Sequence, residues 1–158
     1  MDPPLKLVST VISDMKYWYD TSSTKIDAVL IAGDFVVHGL SNSDPDHKNW
    51  PAMREVFKAV INEVQGKFPG VPIISSIGNN DLLNHYQAPS QDQKALFYGD
   101  LYDIWFKNVS ANMKAPNADE IHSTFMNGGY YRFDLSSDVS VLSINSIVIN
   151  NENNQQEF

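Results

Sequence analysis

The chain has 158 residues, a formal net charge of −8 and no cysteine. With 42% hydrophobic residues it carries enough apolar material for a core, which excludes wholesale disorder. The acidic balance excludes nucleic acid and anionic membrane as default partners, and the missing cysteine excludes disulfides and thiolate metal sites. Met1-Asp2-Pro3-Pro4 has neither the basic head nor the apolar run of a signal peptide. The longest apolar run, Ala28 to Ala32, is too short to cross a bilayer.

After Pro3-Pro4, the residues Leu5, Val8, Ile12, Met15 and Tyr19 recur at helical spacing and predict an amphipathic helix. Ile26 to Ala32 is short, almost wholly apolar and followed by Gly33, the pattern of a strand buried on both faces. A polar loop from Leu40 to Asn49 precedes a second helix opened by Pro51, with Met53, Val56, Phe57, Val60, Ile61 and Val64 on one stripe. Val71 to Ile77 reads as a second buried strand. A helix from about Gln93 to Val109 turns Phe97, Leu101, Ile104 and Trp105 inward. Tyr130 to Leu135 and Val139 to Ile149 read as two strands joined by Ser136-Ser137-Asp138, and the polar run 150–158 as a tail. Helix, strand, helix, strand argues for an α/β fold with parallel strands and crossover helices, in a single domain over 1–149.

Ligand-binding groups in such sheets gather beyond the carboxyl ends of the strands. Two polar motifs stand there: Gly33-Asp34 with His38 four residues on, and Gly78-Asn79-Asn80-Asp81. Each alone also suits an ordinary turn. Because consecutive parallel strands lie side by side, the two motifs together describe one site. Carboxylate, amide oxygen and imidazole form a mixed donor set suited to zinc, manganese or iron.

In order and spacing these motifs resemble the calcineurin-like metallophosphoesterases, and the His38 spacing resembles the acid sphingomyelinase-like branch. Asp2-Pro3-Pro4, Gly128-Gly129-Tyr130-Tyr131 and Leu142-Ser143-Ile144-Asn145-Ser146 add to the likeness. The run Asn79 to His85 looks most like the endopolyphosphatases, which share Asn-Asn where most members have Asn-His. The resemblance implies a mainly parallel central sheet within a four-layer αββα sandwich, of which this chain supplies part. It implies two divalent metal ions, zinc in this branch, with Asp34 as the carboxylate between them and Asn79 as an amide ligand. Such metals lower the pKa of bound water from about 16 to about 7 and so create a hydroxide nucleophile. Asp81 matches a supporting carboxylate. His38 matches a position beside the site whose role as ligand, substrate contact or support stays open.

The departures matter as much. Asn80 stands where most relatives place a histidine; it can donate a hydrogen bond but not a proton. His85 is a candidate substitute on the substrate side. The family's Asp-x-His strand has no counterpart before Leu5, and its Gly-His-x-His motif has none after Asn145. Catalytic zinc normally takes about three protein ligands. The resemblance therefore implies an internal fragment, inactive by itself, of an enzyme hydrolysing a phosphodiester or phosphoanhydride. The parent would be secreted, lysosomal or vacuolar, meeting membrane only through a lipid substrate and nucleic acid not at all. A non-catalytic scaffold is the alternative reading. Elsewhere, Asn108-Val109-Ser110 is a glycosylation sequon, Asp44, Asp46 and His47 form a solvated loop, His122 suits the surface, and Trp50 and Trp105 suit the core.

Overall fold

The computed structural model describes residues 4–40 and 48–153. Helix α1 (Leu5–Thr21) starts at Pro4, whose missing N–H costs nothing there. Of the predicted stripe only Ile12 is fully buried, with Val8 and Tyr19 packed partly against the core. Strand β1 (Val29–Ile31) is shorter than the apolar run implied. It is also covered on one face only: Leu30 is 64% exposed. Alternation along the strand turns Leu30 away from Val29 and Ile31, to a side on which the helices do not pack.

Helix α2 (Trp50–Lys67) has Pro51 in its first turn and buries Trp50, Met53, Phe57, Ile61 and Val64. Strand β2 (Ile73–Ser75) is buried throughout, as the sequence predicts. It pairs in parallel with β1, Val29 against Ile73 and Ile31 against Ser75. Helix α3 (Lys94–Tyr102) runs into a wider π turn over Asp103–Lys107. The widening is marked by the bond from the Asn108 N–H to the Asp103 carbonyl, and it lets Ile104, Trp105 and Phe106 all face inward.

Helix α4 (Ala118–Gly128) is an element that the sequence reading left out. Its signals are present: Asp119 and Glu120 in the first turn, Ile121 and Phe125 one turn apart, and Gly129 closing it at φ 69°. Strands β3 (Tyr131–Asp134) and β4 (Ser140–Ser143) pair antiparallel across the predicted turn. The second strand stops early because the Asn145 side chain accepts the Ile147 N–H and starts a 3-10 turn over Ser146–Ile149. The polar run beyond it does not leave the body at once. The Asn153 side chain, 3% exposed, accepts the Ala88 N–H.

The two small sheets are joined through side chains. The Tyr131 hydroxyl donates to the Ser75 carbonyl at 2.7 Å and accepts the Ser75 N–H at 2.9 Å. The Asn112 amide does the same for Ile73, accepting its N–H at 2.9 Å and donating to its carbonyl at 2.7 Å. Among the described residues the outer edge of β2 is thus sealed by side chains and not by a third strand. Rings fix the loop beyond β1: Phe35 lies 5.4 Å from Phe57 of α2 and 5.5 Å from Trp105 of the π turn. Both tryptophans expected in the core are there.

Candidate functional site

The carboxyl ends of β1 and β2 meet at two glycines. Gly33, at φ +90°, passes so close to Gly78 that a Cβ there would lie 2.5 Å from the Gly78 nitrogen. A Cβ on Gly78 would collide with the Asp34 carboxylate and backbone. Only glycine at both positions lets the loops touch, and beside them Asp34 sits at φ 55°, a conformation costly for a residue with a side chain.

Asp81 holds this junction. Its carboxylate accepts the N–H of Asp34 at 2.8 Å, of Gly78 at 2.9 Å and of Val36 at 3.1 Å. It is fully buried, and loss of water pushes its pKa up to about 6, against the three N–H donors that favour the ion. The nearby Asp34 carboxylate adds to the rise. Asp34 itself is exposed, and one of its oxygens accepts the Asn80 N–H at 3.1 Å.

Hydrogen bonds therefore bring Asp34, Asn80 and Asp81 together across the two strand ends. Asn79 begins the 3-10 turn Asn79–Asp81, next to them and half-buried. His38 is exposed in the loop beyond Val36, and His85 is half-buried in the loop beyond that turn. The sequence reading missed the backbone donors of Gly78 and Val36. The Gly-x-x-Asp spacing of residues 78–81 was the available signal, since a carboxylate three residues on can reach back to the glycine N–H. His122 is exposed with its ring against Tyr102, away from these motifs. Asn108 of the sequon is exposed. Asp44, Asp46 and His47 lie outside the described residues.

Asp34 and Asn79 offer oxygen donors of the kind that suits a divalent cation. Asp81 is engaged by three backbone N–H groups. Among the described residues no group of three or more His, Asp or Glu side chains could hold a metal. An apolar cleft of about 540 Å³ opens beside Asp34, between Val8 of α1 and Val56 and Val60 of α2.

Residues 8–157 match the sequence pattern of the calcineurin-like phosphoesterases. The chain belongs to that family. Its α/β architecture and its strand-end site accord with the assignment, and members of the family generally use divalent metal ions. The chain is 26% identical over 147 residues to a sphingomyelinase phosphodiesterase D of Dictyostelium discoideum, covering 93% of itself and 28% of that protein. It is 29% identical over 127 residues to sphingomyelinase phosphodiesterase C of the same organism, covering 77% of itself and 26% of that protein. To an endopolyphosphatase of Schizosaccharomyces pombe it is 30% identical over 133 residues, covering 80% of itself and 21% of that protein. The chain spans about a quarter of the length of these curated relatives.

Proposed function

We propose that the chain forms one wall of a metal-dependent phosphoester or phosphoanhydride hydrolase site, within a protein built on the four-layer sandwich of its family. The observation that carries this is the junction of Gly33-Asp34 with Gly78 to Asp81. Two tight strand ends, held by a buried carboxylate, present an exposed carboxylate beside an amide.

On this reading Asp34 and Asn79 hold a divalent ion, for which we propose Zn²⁺. Such an ion would supply the positive charge that ionises a water at neutral pH. The chain's own residues do the positioning. Asp81 fixes the Asp34 backbone, and the Asn80 N–H fixes one Asp34 oxygen, so the other oxygen stays available. Held this way, Asp34 needs no rearrangement to act, which is the advantage of a preorganised site. His38 on the exposed loop four residues beyond Asp34 is, on this reading, a further candidate for ligand, substrate contact or support.

Asp34→Asn, made in the native protein that carries this segment, is expected to lower hydrolysis of tripolyphosphate and of bis(p-nitrophenyl) phosphate by about 10²–10³-fold, the order lost when a charge-stabilising group is removed. The folded fraction, followed by circular dichroism, should stay unchanged. Hydrolysis at the parent rate would remove Asp34 from the mechanism.

A further inference from the structure

Asparagine is frequent in this chain, yet only Asn108 is followed two residues on by a hydroxyl residue, in Asn108-Val109-Ser110. Nothing in the strand-end site uses this motif. The structure holds it as a surface turn with a fixed backbone. Asn108 follows the π turn Asp103–Lys107, its N–H on the Asp103 carbonyl at 3.0 Å. Its own carbonyl accepts the Gln65 side-chain amide at 3.0 Å. Val109 is 1% exposed and anchors the turn in the core, while Asn108 and Ser110 on either side of it are exposed. Among the described residues neither the Asn108 carboxamide nor the Ser110 hydroxyl has a hydrogen-bond partner. Packing thus accounts for Val109 and backbone bonds account for the turn. Neither calls for a carboxamide at 108 together with a hydroxyl at 110. At φ −80° and ψ −13°, residue 108 also has no need of the left-handed tolerance that brings asparagine to helix ends.

We propose that Asn108 is an N-glycosylation site. The carboxamide is the acceptor and the hydroxyl two residues on is the group that marks it, on a surface turn able to carry a bulky polar chain. In the transfer, Nδ2 of Asn108 bonds to the anomeric carbon of an oligosaccharide carried on a polyprenyl diphosphate. The bond from that carbon to the diphosphate oxygen breaks, the diphosphate leaves with the electron pair, and Nδ2 gives up one proton. The proposal carries a requirement: the protein that bears this segment enters the lumen in which such donors are used. The fold also keeps the sugar clear of the strand-end site. Asn112, in the turn that follows, grips Ile73 at the start of β2, and Gln65 lies in the last turn of α2. Asp34 and Gly78 to Asp81 stand at the opposite, carboxyl end of the strands. A glycan at 108 and a ligand at Asp34 therefore do not compete for space.

The test takes the native protein that carries this segment, isolated from its source cells, and treats it with peptide N-glycosidase in H₂¹⁸O before trypsin. The peptide 108–114, released by cleavage after Lys107 and Lys114, should then begin with an aspartate that carries the heavy oxygen. Ser110→Ala should abolish that label, while Ser110→Thr keeps it, since either hydroxyl marks the acceptor. Asn108→Gln should leave its peptide without the label. Circular dichroism should be unchanged in all three variants, because both side chains are exposed. A peptide 108–114 found wholly unmodified in the native protein would overturn the proposal. So would a label that survives Ser110→Ala, which would be deamidation and not loss of a sugar. Neither result bears on the phosphoryl site, which Asp34→Asn tests separately.

Discussion

One carboxylate decides how the two loops are held. Asp81 is worth more to the fold as an acceptor of three N–H groups than as a charge, because burial disfavours the ion that those donors favour. Its folded-state pKa of about 6 lies above the ordinary 3.8, so the folded chain holds a proton that the unfolded chain has lost. The resulting stabilisation is complete below about pH 4 and is lost as pH rises through about 6, an effect on the order of 3 kcal/mol. Urea unfolding in chelator at pH 4.5 and pH 7.5 should show stability falling with pH, and Asp81→Asn should flatten that fall while lowering stability at the acidic end. A profile that rises over this interval in the parent chain would mean that the N–H donors outweigh burial. At this scale spacing alone displayed two strand-end carboxylates, and their division into ligand and support came only from the family resemblance. Asp34 and Asp81 are equally visible as strand-end carboxylates. Which one stays exposed depends on the 2.5 Å approach a Gly33 side chain would make to Gly78, and no spacing rule contains that.

At the level of elements, the long amphipathic helix α2 and the parallel pairing of β1 with β2 were legible because each rests on a local apolar pattern. Helix α4 has a weak signature because only two of its large apolar side chains, Ile121 and Phe125, are fully buried in eleven residues. The sealing of β2 was illegible for a different reason. Its partners, Asn112 and Tyr131, come from 39 and 56 residues further along, and side-chain capping of a strand edge leaves no periodic trace. The importance of the cap can be measured. Tyr131→Phe keeps the ring packed against Phe106 and Phe125 but leaves the Ser75 N–H buried without an acceptor. The Ser75 carbonyl is still served by Ser143 Oγ at 3.1 Å, so a single group is orphaned. Denaturant unfolding should register a loss of about 1–3 kcal/mol with the slope unchanged. An unaltered midpoint would show that the hydroxyl does not close this edge.

The whole molecule is asymmetric about its parallel sheet. One edge is capped by Asn112 and Tyr131, while no strand among the described residues pairs with the far side of β1, where Leu30 stands 64% exposed. Helix α1 adds a second uncovered apolar row, Leu7, Val11 and Trp18, at intervals of four and seven residues. An open strand edge flanked by apolar side chains is a template for association. Against it works the net charge of −8, which keeps copies apart over a distance of about 10 Å at 0.1 M salt and less as salt increases. The balance predicts that the 158-residue chain self-associates with rising concentration, and more strongly at 0.5 M than at 0.05 M sodium chloride. Sedimentation velocity across both variables reads this directly. Leu30→Lys places a charge on the uncovered face beside the open edge and Trp18→Glu breaks the helical row; neither side chain is part of the buried core, so both variants should fold. Each should shift the assembly toward monomer by tenfold or more in the association constant, the equivalent of about 1.4 kcal/mol. A monomer at every concentration, or association that salt weakens, would mean that charge rather than the uncovered edge governs how these chains meet.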